Sequence, residues 1–270
     1  MRILRTTSEV REALGHAGGR VGLVPTMGAF HGGHLALMQA AREACDIVVV
    51  SLFVNPSQFN AAEDLEHYPR DEAADARAAA DTGVDLLFAP SVEEFYPSGF
   101  DTWVVPGEPA ATLEGASRPD HFKAVATVCT KLFSIVQPNL AFFGRKDAQQ
   151  VAVVKRLVAD LNLPLEIVAV PIVRDADGLA LSSRNVFLST GERTTALALP
   201  RALDAGLAAH RSGGNAVQAA RSALDEERGL AVEYVAVADL DGPTLCAAVR
   251  VGATRLIDNV HLGHVDNADR

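Results

Sequence analysis

The chain has 270 residues, 49% hydrophobic and 21% charged, with a net charge of −10, which is enough apolar material for one large domain and a smaller one. The acidic balance argues against a nucleic-acid-binding surface, which rewards clustered Lys and Arg, and leaves any anionic ligand to be held by local positive groups. No apolar run reaches the roughly 18 residues of a membrane span, and Met1-Arg2-Ile3-Leu4-Arg5 turns polar too soon for a secretory signal; the expectation is a cytoplasmic protein with neither membrane nor nucleic-acid partners.

In chain order, Val21-Gly22-Leu23-Val24 is a short strand running into a turn, and Leu35 to Ala44 is a helix rich in Ala, Leu and Met. Asp46 to Val54 is a continuous β-branched run, the pattern of a strand buried on both faces. Asp71 to Asp81 is an Ala-rich helix, Asp85 to Pro90 a short strand, and Phe122 to Val136 a helix stopped by Gln137-Pro138. Leu140 to Phe143 is a strand, Ala148 to Leu161 a helix and Leu165 to Val173 a strand. Such alternation predicts an α/β fold, a Rossmann-like doubly wound parallel sheet. The character changes at Asp175-Ala176-Asp177-Gly178, which is turn chemistry. Two Ala-rich helices follow, Glu192 to Arg211 and Ala216 to Arg228, then two strand-like runs, Val232 to Val237 and Thr254 to Ile257. This is a second, smaller α+β domain, giving expected domains of residues 1–174 and 175–270. Cys45, Cys129 and Cys246 are far apart, lack metal or redox spacing, and read as buried core thiols.

In a doubly wound sheet ligands bind beyond the carboxyl ends of the strands, and the turn after the first strand meets the free N–H groups of the next helix. Here that turn is Thr26 to His34, with Gly28, Gly32, Gly33 and the pair His31 and His34. The spacing places both imidazoles on one side of a helical turn, where their N–H groups can stabilise charge developing on an α-phosphate. Capping or packing by one histidine is the alternative, and a zinc pair lacks a convincing third ligand; between strand and helix, adenylyl transfer is the better reading. Asn55 and Gln58, after the next strand, are neutral amides that can bind hydroxyls and carboxylates, although Asn55-Pro56 is also a common turn. In Gly144-Arg145-Lys146-Asp147-Ala148-Gln149-Gln150, Lys146 can pair with triphosphate oxygens. Asp147 can cap the helix or help hold Mg²⁺, and Gln150 faces the same crevice. Leu181-Ser182-Ser183-Arg184-Asn185 suits a mobile loop closing on phosphates, or an ordinary polar hinge.

These motifs, in this order, resemble the pantothenate synthetase (pantoate–β-alanine ligase) family of the HxGH nucleotidylyltransferases. The resemblance runs through Pro25 to His34, Phe53 to Phe59, Tyr68-Pro69-Arg70, Leu113-Glu114-Gly115, His121-Phe122-Lys123, Lys131-Leu132-Phe133, Phe143 to Gln150 and Asp177 to Asn185. It continues more weakly in Val232 to Val235 and Arg255 to Asn259. The resemblance implies a ligase joining pantoate to β-alanine with ATP and Mg²⁺ through a pantoyl-adenylate, in a homodimer formed through the N-terminal domain. It implies ATP contacts from Met27, His31, His34, Gly144, Lys146, Asp147, Val173, Leu181, Ser182, Ser183 and Arg184, with His34, His31, Lys146 and Arg184 catalytic. Pantoate contacts fall to Met27, Asn55, Gln58 and Gln150, with Phe59 beside its methyl groups, and Asp75 approaches Mg²⁺. The sequence departs from the family pattern at Asp120 and Ala124, each in place of Gly, Arg145 in place of Glu, Ala148 in place of an aromatic, and Leu181 in place of Met. These bear on the shape of the nucleotide pocket. Two other functions stay open, another nucleotidylyl transferase with the same histidines and a non-catalytic nucleotide-binding regulator.

Overall fold

The structure is a computed structural model that describes residues 1–15, 18–59, 65–66 and 68–263. The chain divides into two compact units, Met1–Gly144 with Gln149–Val170, and Arg145–Ala148 with Pro171–Arg270.

In the first unit, β1 (Arg2–Leu4), β2 (Val21–Thr26), β3 (Ile47–Leu52), β4 (Leu86–Phe88), β5 (Leu140–Gly144) and β6 (Glu166–Val170) form a six-stranded sheet in the order β1-β4-β3-β2-β5-β6. Every pairing in it is parallel. The helices named for the described residues are α1 (Thr7–Gly15), α2 (Gly32–Ala44), α3 (Glu72–Asp81), α4 (Val92–Phe95), α5 (Glu114–Ser117), α6 (His121–Val136) and α7 (Ala148–Asp160). Strand side chains alternate between two apolar clusters. Leu23, Val49, Leu86, Phe88, Ala141 and Phe143 enter one, and Val24, Val48, Val50, Leu87, Leu140 and Phe142 the other. Both faces are therefore covered, which is why the third strand reads as an unbroken hydrophobic run. Residues of α6 and α7 pack into the first cluster, and Leu37, Met38 and Ala41 of α2 with Ala79 of α3 into the second. The chain leaves β2 toward β3 and β4 on one side and later fills the other side with β5 and β6. Right-handed crossovers running in opposite directions put α2 and α7 on opposite faces, and the strand order reverses between β2 and β5, the point at which sheets of this kind take their ligands.

The strand β1 and helix α1 are absent from the sequence expectation, since a three-residue strand carries no usable periodicity. The stop of α6 agrees with it: Gln137 adopts φ 49 just before Pro138, and its N–H closes on the Phe133 carbonyl. Asp120, immediately before α6, also has a left-handed backbone with φ 63. The resemblance expects Gly there, and Asp is among the few residues that tolerate the conformation.

The second unit holds α8 (Thr190–Ala196), α9 (Ala198–Arg211), α10 (Ala216–Asp225) and the antiparallel strands β7 (Leu230–Asp239), β8 (Pro243–Val251) and β9 (Thr254–His261), in the order β7-β8-β9. Two expectations are corrected. The helix expected over Glu192 to Arg211 is two helices parted at Leu197, and Pro200 lies in the first turn of the second, where a missing N–H costs nothing. The two expected strands flank a third, β8, whose Ala-rich centre hides it; Leu245, Ala247 and Val249 nevertheless pack against Leu199, Leu203 and Leu224 of the helices. Gly206 makes the fit close, because a Cβ there would lie 2.4 Å from Leu245 Cδ2 and 2.9 Å from the Ala216 carbonyl.

Cys45, Cys129 and Cys246 are buried and form no disulfide. Burial pushes the Cys45 thiol up and that of Cys129 up to about 12. No helix among the described residues is long and apolar enough to cross a membrane.

Candidate active site

The turn after β2 is built around a buried carboxylate. Gly28 has φ 90 and Ala29 φ 54, so the next backbone N–H groups converge on one point. Asp75 fills it: the Ala29 N–H donates to Oδ2 at 2.9 Å and the Phe30 N–H to Oδ1 at 2.8 Å. Asp75 comes from the first turn of α3, which Asp71 caps by accepting from the Ala74 N–H. It is 5% exposed. A Cβ on Gly28 would lie 2.9 Å from Asp75 Oδ2 and 2.8 Å from Leu52 Cδ1, so the turn needs glycine for both its φ and its space. The resemblance implies Asp75 near Mg²⁺; in the structure each of its oxygens accepts a backbone N–H of the turn.

His31 and His34 close the start of α2 on each other. His31 is the N-cap, and its Nδ1 accepts from the Gly33 N–H at 3.1 Å. His34 reaches back, its Nδ1 accepting from the His31 N–H at 3.3 Å. This is a capping box made of two imidazoles, with ring centroids 4.2 Å apart. Because both Nδ1 atoms accept, the network assigns the ring proton of each neutral imidazole to Nε2. Each ring is thus set as an Nε2–H donor at a helix N-terminus, where the partial positive charge favours anions. The helix begins three residues before the expected Leu35, since this cap absorbs the low helix propensity of Gly32 and Gly33.

Beyond β3, Asn55 caps a short 3₁₀ turn over Pro56–Gln58, accepting from the Ser57 N–H at 3.2 Å. It is fully buried, and its Nδ2 donates to Gln58 Oε1 at 3.0 Å. That contact fixes the Gln58 amide, leaving its NH₂ end as the donor for a ligand oxygen. The Arg118 guanidinium donates to the Gln58 carbonyl at 3.1 Å. Met27, half-buried, follows β2 directly.

Gln150 lies on α7 and is partly buried. Its neighbour Gln149, which the sequence does not single out, has a structural task. It accepts from the Glu114 N–H at 3.0 Å and donates to the carbonyls of Pro109 and Thr112 at 2.9 and 2.7 Å. These bonds hold the segment where Leu113 takes φ 48 and ψ −114, a conformation an L-residue adopts only when its surroundings impose it.

The second unit carries the remaining expected residues. Arg145 to Asp147 form a 3₁₀ turn, with Lys146 Nζ 3.8 Å from Asp147 Oδ1. Val173 and Leu181 are brought together, the Leu181 N–H donating to the Val173 carbonyl at 2.9 Å. They close a hairpin whose turn, Asp175 to Gly178, is gripped by Arg193 through Asp175 at 2.6 Å and Asp177 at 2.8 Å. Hydrogen bonds to Asp177 and then Asp175 raise the Arg193 pKa, and the bond from Arg193 lowers that of Asp177. Ser182 caps the 3₁₀ turn Ser183–Phe187, accepting from the Arg184 N–H at 3.3 Å, and leaves the Arg184 side chain exposed.

A parallel sheet with the His31, His34 and Gln58 donors beyond its carboxyl ends is an α/β fold of the kind that receives anionic ligands there. Residues 2–261 match the family described as pantoate-beta-alanine ligase. The chain is 50% identical over 273 residues to a pantothenate synthetase of Roseiflexus sp. (strain RS-1), covering 96% of this chain and 98% of that one. The crystal structure of pantothenate synthetase from Thermus thermophilus is similar with a TM-score of 0.93 and 47% identity, covering 97% of this chain and 99% of that one. That of a pantoate-beta-alanine ligase from Francisella tularensis, complexed with beta-gamma ATP and beta-alanine, has a TM-score of 0.85 and 33% identity, covering 97% and 98%. The chain belongs to the pantoate–β-alanine ligase family. It is a ligase of pantothenate formation.

Proposed function

We propose that the chain performs the ATP-dependent condensation of pantoate with β-alanine in two steps. The pantoate carboxylate attacks the α-phosphorus of ATP, forming an acyl–phosphate bond and breaking the α–β bridge, so that pyrophosphate leaves. The β-alanine amine then attacks the acyl carbon, forming the amide and expelling AMP as the amine loses its proton. The observation that carries this reading is the His31–His34 capping box, which presents two Nε2–H donors where α-phosphate charge would develop. The attacking group belongs to the substrate, so the chain's task is positioning and charge stabilisation.

On this reading Gln58 and Gln150 hold pantoate oxygens, with Asn55 orienting Gln58 and Met27 and Phe59 against the methyl groups. Lys146, Ser182, Ser183 and Arg184 take triphosphate oxygens, and Gly144, Asp147, Val173 and Leu181 line the nucleotide. The Nε of Arg145, buried and without a hydrogen-bond partner among the described residues, supports a polar ligand beside Lys146. Among the described residues no group of three or more His, Cys, Asp or Glu could hold a metal. Asp75 could offer a metal only the lone pairs its two backbone partners leave, since each of its oxygens already accepts one N–H. We therefore assign Mg²⁺ to the triphosphate itself, the usual arrangement for this ion, and derive no step from it. We also propose a cytoplasmic homodimer formed through the first unit, where Trp103 and Val105 are exposed.

Mixing protein, MgATP and pantoate without β-alanine should release pyrophosphate; release with other acids or phosphate esters, and none with pantoate, would overturn the assignment. Gln58→Ala should raise the pantoate KM about tenfold, the worth of one or two hydrogen bonds, with a smaller change in kcat. An unchanged pantoate KM would remove Gln58 from the pocket.

A further inference from the structure

Arg174, Asp258 and Asn259 take no part in the chemistry above, yet their side chains tie together the two segments to which that reading gives the triphosphate. Asn259, 7% exposed, spends both hydrogens of its amide on the Lys146 turn. Its Nδ2 donates to the Arg145 and the Lys146 carbonyl, each at 2.9 Å. Its own N–H donates to Asp258 Oδ1 at 2.8 Å. Asp258 is 2% exposed, and its carboxylate takes both ends of the Arg174 guanidinium, Nη1 at 2.6 Å and Nη2 at 3.1 Å. The same Nη1 donates to the Gly178 carbonyl at 3.2 Å, in the turn of the hairpin that leads to Ser182. Arg174 and Ala180 are bridged across that hairpin. Burial works against the Arg174 charge, but the hydrogen bond and charge of Asp258 outweigh it and its pKa is raised.

We infer that Arg174, Asp258 and Asn259 are positioning residues for the triphosphate, holding the Lys146 turn and the hairpin before Ser182 in a single geometry from β9. The contacts on the Lys146 side go to backbone carbonyls, so they set where Lys146 starts without touching its ammonium. They are also indifferent to the side chains of residues 145 and 146, because they go to the main chain. A planar fork received bidentately by a buried carboxylate is a stiff link, and lysine cannot reproduce it.

The inference rests on the proposed role of Lys146, and the test separates the two. Asn259→Leu keeps the side-chain volume and removes both donors. In the full chain with MgATP and pantoate, loss of those hydrogen bonds should raise the ATP KM about tenfold and lower the rate of pyrophosphate release, with the pantoate KM within about twofold. Lys146→Ala should be impaired on its own, and adding it to Asn259→Leu should cost much less than the product of the two single effects, as coupled residues do. Arg174→Lys is the milder probe should Asn259→Leu fold poorly: charge is retained, the fork is lost, and the ATP KM should rise severalfold while the unfolding temperature stays near that of the parent. Wild-type ATP KM and rate in folded Asn259→Leu or Arg174→Lys, or effects that multiply fully with Lys146→Ala, would overturn the positioning role. A Lys146→Ala variant of full activity would instead overturn the assignment of Lys146 to the phosphates.

Discussion

His34→Ala is expected to slow pyrophosphate release from MgATP and pantoate by about 10²–10³-fold, the loss typical of removing one preorganised donor from developing charge. Two effects contribute, and they can be separated. The imidazole supplies the Nε2–H, and its Nδ1 also accepts from the His31 N–H at 3.3 Å. Losing a cap of this kind costs about 0.5–2 kcal/mol of stability. Glutamine at the same position of a helix can still reach back to the N-cap N–H, so His34→Gln should recover most of the stability and little of the rate. Single-turnover kinetics paired with thermal unfolding decides the matter. If His34→Gln restores both, His34 is a capping residue and the reading of the histidine pair as the charge-stabilising group fails.

Asp75→Asn is the second large effect. The substitution keeps one acceptor and turns the other oxygen into an NH₂ facing a backbone N–H. A buried donor left without its acceptor costs about 1–3 kcal/mol. The turn would relax, and a shift of about 1 Å in the groups it carries can lower a rate by about 10²-fold. The expected result is a lower unfolding temperature together with a slower adenylation step, neither relieved by raising Mg²⁺. A rate that recovers as Mg²⁺ is raised, in a variant of unchanged stability, would return Asp75 to the metal.

The contrast between these two residues shows how far the sequence could be read. His31 and His34 stand out because their types, spacing and glycine neighbours are unusual together and lie between a strand and a helix. Asp75 is one acid in an Ala-rich helix, and its partners are two backbone N–H groups 46 and 45 residues away, which leave no mark in residue type. Gln149, Arg118 and Asn259 are hidden for the same reason, since each acts on a carbonyl or N–H far along the chain. The parallel sheet was legible because burial on both faces demands continuous β-branched runs, as in Val48-Val49-Val50. In the smaller sheet β8 was not, because Ala247 and Ala248 carry little strand preference and are held by pairing on both sides. Pro200 was a usable signal for the break at Leu197, since a proline sits most comfortably in a helix's first turn.

The buried thiols have a practical consequence. A thiolate, not a thiol, reacts with alkylating dyes, and Cys45, Cys129 and Cys246 are all buried, with Cys129 pushed up to about 12. The native chain therefore offers almost no chemical handle at neutral pH. Val186, 73% exposed and two residues beyond Arg184, is a position where a single introduced cysteine would be the one reactive group. A fluorophore there would read the environment of the Ser182–Arg184 loop as ATP and pantoate are added, without first stripping the protein of its own sulfur.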